Sequence, residues 1–508
     1  VNKNIQLSIL SGILLGLPFC IPQLFFLIFF AWIPLLWIEE KTSHHPNPYL
    51  LFNYAFLSFA IWNTMAYWWV SQAQLIGVIL IILINSMLLA LIFWLISKAK
   101  SILKISILFP FLIIWLGFEY FHTRWDLAWP WLNLGNTFAS VPQWVQWYDF
   151  TGTRGGSLWI ILVNISLFVI IKRSKNFRYR QIVFLILLLG IPLLYSSIRM
   201  DSREVVLEQK TFALIQPNLD PYTEKFVPEN ERIHFEEFIA TADSICELIH
   251  PDYLFGPETL ILQSIDEERP DSSYYFRQLL NLKKKYPKTS FLLGVHSKKE
   301  IKEKEDSYNT ALFLSGSTPE YYHKIKLVPL FERMPFDKYL GFLKEYSLEI
   351  GGYHGTYSSR NQKKYFLSDS TAIVPVVCFE SIFGDYCAQR VPEQSGFLCM
   401  ITNDGWWKTT PGYLHHFNFS RLRAIETRRH YIRVANNGIS AHINSKGTVI
   451  AKTKWWHKTI LTGELSLLKG QTFYSEHGDY IGRICLFFSL LLLMFVKIRA
   501  YTTQLPKK

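Results

Sequence analysis

The chain has 508 residues, half of them hydrophobic and 16% aromatic, with a formal net charge of +12. That length exceeds one ordinary domain, and a mean hydropathy of +0.14 is unusual for a soluble protein and points to a membrane protein. Neither GxxxxGK[ST] nor GxGxxG occurs, which leaves nucleotide binding without support.

In chain order, apolar stretches run at about 5–20, 23–38, 50–70, 75–97, 103–120, 156–171 and 182–198, and again at about 480–496. Most approach the ~20 apolar residues that cross a bilayer. About eight spans are therefore expected, the first two separated by Pro18 and Pro22 and open to a re-entrant reading. Lys3 precedes the first stretch, but no clear small-residue cleavage site follows, so it does not read as a cleaved leader.

Charge orients these spans. Lys3, Lys41, Lys98, Lys100, Lys104, Lys172, Arg173, Lys175, Arg178, Arg180, Lys497, Arg499, Lys507 and Lys508 fall in loops on one side, against only Glu39 and Glu40. The positive-inside rule makes that side cytoplasmic, with both termini, and puts residues 200–478 across the membrane. Fourteen basic residues against two acidic ones account for the whole net charge; the other 38 basic and 38 acidic residues cancel. The basicity is topological and gives no case for nucleic acid.

The loop 121–155 holds RWDLAWPWLNLGN and VPQWVQWYDF. It reads either as an aromatic belt at the membrane surface or as a loop shaping a lipid-facing entrance. Three regions result: a transmembrane domain over 1–200, an extracytoplasmic α/β domain over 201–478, and a last helix with a cytoplasmic tail over 479–508. In the middle region, 212–216, 253–256, 291–295, 311–316, 373–379, 397–403 and 431–436 read as strands. Residues 229–249, 273–285 and 414–429 read as helices. The NNG at 436–438 reads as a hairpin turn.

Three segments place ionisable groups at the ends of apolar strands. YLFGPETL carries Glu258, YYHKIKLVPLFERMPF carries Lys324 and Glu332, and VPVVCFESIFG (Val374–Gly384) carries Cys378 and Glu380. Each group alone has a structural reading: a carboxylate at a helix start, a solvated lysine, a small buried thiol. Together they suit nucleophilic catalysis without histidine. A thiol near pKa 8.5 needs activation, a carboxylate can take its proton, and an ammonium can stabilise thiolate and oxyanion.

These segments resemble the carbon–nitrogen hydrolase (nitrilase) superfamily, whose triad is Glu, Lys, Cys in that order. The whole layout resembles its membrane-embedded branch, the apolipoprotein N-acyltransferase family. WPWLNLGN, LIQPN, GPE, the HKxxLVPxxExxP pattern, CFE, ITNDGWW and HHFNFSRLRAIETRRHYIRVANNGISAHI carry the resemblance by their order and spacing. It implies a nitrilase-like αββα sandwich, with Glu258 as general base, Lys324 as oxyanion stabiliser and Cys378 as nucleophile. Glu332 would position the lysine, Glu380 falls just beyond the nucleophile, and the Phe379 N–H would complete an oxyanion hole. The implied reaction passes an acyl chain from a phospholipid (phosphatidylethanolamine) through a Cys378 thioester to the N-terminal amine of a diacylated apolipoprotein. No cofactor or metal is implied, and nothing demands more than a monomer.

Two departures stand out. The family's Phe-Gly before the second glutamate is Leu330-Phe331, so a positive φ there would strain Phe331. A tryptophan common on the arm over the site is matched by Phe226 in DPYTEKF; Trp406 and Trp407 are further candidates for an acyl pocket. Two rivals stay open: a membrane-tethered amidase or nitrilase with water as acceptor, and a non-enzymatic transporter or scaffold. The latter would carry charges inside its spans, and these spans are nearly free of them; Glu119 and Arg483 sit near span ends. His415-His416 is poorly placed for one metal, and the six cysteines show no CxxC pair and leave a disulfide undecided.

Overall fold

The computed structural model describes residues 2–43, 45–47, 49–172, 175–301, 304–340, 357–359 and 364–504. Arg173, Lys507 and Lys508 of the charge pattern lie outside the described residues, as do the side chains of Lys175 and Arg178. The chain divides into two compact units, Val1–Asp201 with Asp479–Lys508, and Ser202–Gly478.

The first unit is helical. Among the described residues, six segments are long and apolar enough to cross a membrane: Lys3–Cys20, Pro22–Thr42, Leu75–Leu103, Tyr148–Lys172, Tyr179–Asp201 and Tyr480–Thr502. The other two of the about eight expected stretches form helices that are shorter or less apolar. The stretch expected at 103–120 forms the 14-residue helix Leu108–Phe121, about 21 Å long against a ~30 Å hydrocarbon core. Its first residues are taken by the preceding helix, which runs on to Leu103 and stops where Lys104 adopts φ 56°. The stretch at 50–70 forms the helix Leu50–Tyr67, whose apolar character is diluted by Asn53, Asn63 and Thr64.

Several buried polar side chains in this unit pair with one another or with backbone, as a low-dielectric setting favours. Asn85 donates to Asn63 at 2.7 Å. Asn164 accepts from Trp32 N at 3.0 Å and donates to Ile28 O at 2.9 Å. It thereby ties the break between the 3-10 helix Pro22–Phe29 and the helix Ile33–Thr42. Gly12 and Gly16 bring Lys3–Cys20 against Leu50–Tyr67; a Cβ on Gly12 would lie 2.5 Å from Ser58 O.

Part of the loop 121–155 turns inward. Trp129 and Trp131 are buried and pack on Tyr67 and Trp69. The unit is not free of buried charge: Arg154 reaches Glu119 at 2.7 Å and Asp479 at 3.0 Å, all three buried.

Among the described residues the second unit has thirteen strands: β1 Val206–Gln216, β2 Tyr253–Phe255, β3 Ile261–Asp266, β4 Ser290–Ile301, β5 Lys304–Leu314, β6 Glu320–His323, β7 Phe366–Ser368, β8 Thr371–Val377, β9 Gly396–Thr402, β10 Tyr431–Ala435, β11 Ala441–Ile443, β12 Val449–Lys452 and β13 Thr459–Leu468. One layer has the order β13-β1-β2-β4-β5-β6, with β3 on β4; the other runs β12-β11-β10-β9-β8-β7. A single pair, Leu468 with Gly396, joins them. Each layer has a parallel centre, β1-β2-β4 in one and β8-β9-β10 in the other.

Between the layers lie Phe212, Leu214, Phe255, Phe313, Phe397 and Ile432. Helices Pro228–Ile249 and Tyr274–Lys285 cover one outer face through Phe235, Phe238, Phe276 and Leu279. Helix Gly412–Thr427 covers the other through Phe417 and Ala424. This is the expected αββα sandwich. Every strand and helix read from the sequence is present. The unread strands, β3, β6, β7 and β11–β13, are short or, like β13, alternate in burial with polar residues on the open face.

Candidate active site

In α/β sheets with parallel centres, chemistry gathers outside the carboxyl ends of the strands. Glu258 follows β2, Lys324 follows β6 and Cys378 follows β8 directly. Lys324 lies between two carboxylates, with Nζ 3.2 Å from Glu258 Oε1 and 2.7 Å from Glu332 Oε1. Asn309 on β5 donates to the same Glu258 oxygen at 2.8 Å, and its carbonyl accepts from Lys324 N at 2.8 Å. Among the described residues, no group of three or more His, Cys, Asp or Glu side chains forms a metal cluster.

The electrostatics follow from this packing. Burial works to raise the Glu258 pKa, but Lys324, the Asn309 hydrogen bond and Lys225 outweigh it and hold the carboxyl below its ordinary range. Burial works to lower the Lys324 pKa, and the charges of Glu258 and Glu332 push it well above its ordinary value. The Cys378 thiol is pushed up, first by burial and then by the Glu258 charge, against the pull of Lys324 and a Thr402 hydrogen bond. A protonated thiol thus stands in the field of an ionised carboxylate and a fixed ammonium, the starting state that general-base activation needs.

Cys378 is half-buried and adopts φ 48°, a conformation uncommon for a side chain with a Cβ and concentrated at functional sites. Glu380 holds that turn. Its Oε2 accepts from Val377 N at 2.9 Å and its Oε1 from Ile325 N at 2.7 Å. Tyr322 donates to both oxygens. The carboxylate therefore joins the thiol's turn to the residue after Lys324.

Two family models match the chain. The apolipoprotein N-acyltransferase N-terminal domain matches residues 11–166, and the carbon-nitrogen hydrolase domain residues 252–473. The apolipoprotein N-acyltransferase of Chlorobaculum tepidum is 27% identical, over 98% of this chain and 97% of its own. Those of Geobacter metallireducens and Rickettsia typhi are also 27% identical, over 95% and 96% of this chain and 93% and 96% of theirs. Along nearly its whole length the chain is similar to apolipoprotein N-acyltransferases. It is an acyltransferase of the carbon–nitrogen hydrolase superfamily, with a lipoprotein substrate and a membrane association.

The remaining residues expected in this acyltransferase site fall as follows. Glu332 is in place because Leu330, not Phe331, takes the positive φ of 70°; Glu332 N bonds Val328 O, and its Oε2 accepts from Val328 N. Phe379 is buried, its ring edge-on to Phe383. Phe226 stacks on Trp406 with centroids 5.3 Å apart, and Tyr222 donates to Trp406 O. Trp407 sits in the same short turn, with its carbonyl accepting from Thr410. All six cysteines are free thiols.

Sequence reading missed several supports of the site. Lys225 is buried and donates to Glu258 O at 2.8 Å. His416 presents Nε2 to Cys378 O at 3.2 Å and Nδ1 to Asp404 at 2.9 Å. Arg433 donates to the other Asp404 oxygen at 2.7 Å. The signal for these residues was polarity where a strand or helix should be apolar: Asn309 in YNTALFL, Arg433 in YIRVA, His416 on the helix facing β8.

Proposed function

We propose that this acyltransferase moves an acyl chain from the sn-1 ester of a phospholipid, phosphatidylethanolamine by family resemblance, to the α-amine of a diacylglyceryl-cysteine at an apolipoprotein N-terminus. The observation that carries this reading is Lys324 held between Glu258 and Glu332, with the Cys378 thiol in the same electrostatic field. Glu258 takes the thiol proton and the thiolate attacks the ester carbonyl. Lys324, with the Phe379 N–H, stabilises the oxyanion. Collapse gives a Cys378 thioester and a lysophospholipid alkoxide, which recovers the proton from Glu258. The acceptor amine then attacks the thioester, gives a proton to Glu258 and expels the thiolate, which is reprotonated. Glu332 fixes Lys324, and Glu380 fixes the turn of Cys378.

The helical unit fits this chemistry. Extracting an acyl chain of about a dozen methylenes from a bilayer costs on the order of 10 kcal/mol, and a membrane-held enzyme avoids most of that. The loop charges favour a cytoplasmic-membrane enzyme with both termini in the cytoplasm and the catalytic unit outside. It works as a monomer, with Phe226, Trp406 and Trp407 lining the acyl site.

Intact mass after incubation with phosphatidylethanolamine vesicles tests the reading. Wild type is expected to gain one hydroxylamine-sensitive acyl chain, and Cys378→Ala none; adding a diacylated lipopeptide discharges it. A folded wild type with no adduct overturns the proposal. Water discharging the adduct as fast as the lipopeptide does would point to a hydrolase.

A further inference from the structure

Lys225 poses a problem that the acyl-transfer scheme does not use. It is 4% exposed, and the Glu258 carbonyl is its only hydrogen-bond acceptor among the described residues. A neutral donor would hold a carbonyl at far lower desolvation cost than a buried ammonium. The charge itself therefore needs an explanation.

Its surroundings supply one. Lys225 sits on the arm Asp220–Val227, closed by Glu224 N and Lys225 N donating to Asp220 O. The arm's base is fixed at Leu219, whose N–H reaches Asn436 Oδ1 and whose carbonyl accepts from Asn436 and Asn437 at 2.8 and 2.9 Å. Its tip is fixed by Lys225 on Glu258, one residue before the Phe226–Trp406 stack. The NNG turn, read from sequence as a plain hairpin, is thus the arm's anchor.

The charged and titratable groups facing Lys225 are Glu258, Cys378 and His296, with Glu231 and His234 across a small pocket. Lys324 lies on the other side of Glu258. Burial lowers the Lys225 pKa, and the neighbouring Glu258 and Cys378 oppose that loss of charge.

We propose that Lys225 is a positioning residue of this site: it clamps the arm carrying Phe226 onto the backbone of Glu258, and its charge stabilises the Glu258 carboxylate and the Cys378 thiolate. The inference rests on the acyl-transfer reading for what the anions do, but not for their stabilisation.

The test separates the two. Alkylation of Cys378 by iodoacetamide, followed by intact mass against pH with Cys378→Ser as blank, reads the thiolate without any lipid. Lys225→Gln keeps a donor for the Glu258 carbonyl and drops the charge; Lys225→Met drops both; Lys225→Arg keeps the charge. The alkylation profile is expected to move up by about one pH unit in the Gln and Met variants and to stay near wild type in the Arg variant. Acylation from vesicles is expected to fall about ten- to hundredfold in the Gln variant. An unmoved alkylation profile in a folded Lys225→Gln protein overturns the role of Lys225, even where acyl adducts form. A shifted profile with no acyl adduct in wild type supports Lys225 and overturns the acyl-transfer reading alone.

Discussion

Each unit of the molecule buries one cation between two carboxylates. In the helical unit Arg154 bridges Glu119 and Asp479 at 2.7 and 3.0 Å; in the α/β unit Lys324 bridges Glu258 and Glu332 at 3.2 and 2.7 Å. The distances scarcely distinguish them. What stands beside each does. Around Arg154 the second Glu119 contact set is structural, with Leu134 N and Trp115 Nε1 donating to its other oxygen. Beside Lys324 stand a thiol on a strained turn and a second buried lysine. A buried ion triplet is therefore a lock by default. It becomes a site when a group that can change covalency shares its field.

The largest effect that would sharpen this contrast is Glu258→Gln. The shape of the side chain persists and the base is gone, so single-turnover acylation should fall by about 10²–10⁴-fold. In wild type the acid limb of that rate should lie below the ordinary glutamate value of about 4.3, because Lys324 and its neighbours hold Glu258 down against burial. Linkage gives the matching stability effect. With the folded pKa below the unfolded one, the ionised carboxylate contributes stability that is complete above about 4.3 and lost as pH falls through the folded pKa. Melting measured against pH checks this, and a Glu258→Gln protein should lack that component.

Arg154→Met should give the opposite pattern. It leaves Glu119 and Asp479 buried and uncompensated, a loss of about 3–5 kcal/mol, read by denaturant unfolding in detergent. Acylation per folded molecule should not change. Equal losses of stability and of chemistry would erase the distinction between lock and site. Glu380→Gln should fall between the two. Its amide would face donors from Val377, Ile325 and Tyr322, a cost of about 1–3 kcal/mol. Acylation should drop by about ten- to hundredfold, with Cys378 still alkylated.

The contrast also explains what could be read from the sequence. Apolar length and β-branched runs report burial directly, so the helical unit, the central strands and the strand-end positions of Glu258, Lys324 and Cys378 were legible. Span count was less so, since Leu108–Phe121 and Leu50–Tyr67 are apolar yet short or diluted. Arg154 was invisible because its partner Asp479 lies 325 residues away. Lys225 stood in plain view next to Phe226, but a lysine on a polar arm reads as solvated until the fold puts its ammonium on Glu258. Long-range partnership of polar groups is what a single sequence does not carry.

The smallest expected effect tests whether the arm belongs to the site or only covers it. Phe226 and Trp406 come from segments 180 residues apart and meet at 24° between ring planes. Such a stack is worth about 0.5–1.5 kcal/mol. If it shapes the acyl pocket, Phe226→Leu should raise the half-saturating phospholipid concentration by about two- to tenfold and leave the maximal acylation rate in place. Trp406→Leu should do the same, and the double variant should cost less than both losses combined, because the second substitution removes a ring with nothing left to stack on. Additive losses would mean that each ring touches lipid on its own, and the arm would then be a wall of the pocket with no coupling to the turn at Trp406. A fall in maximal rate instead would place the stack upstream of Lys225, holding Glu258 through the arm.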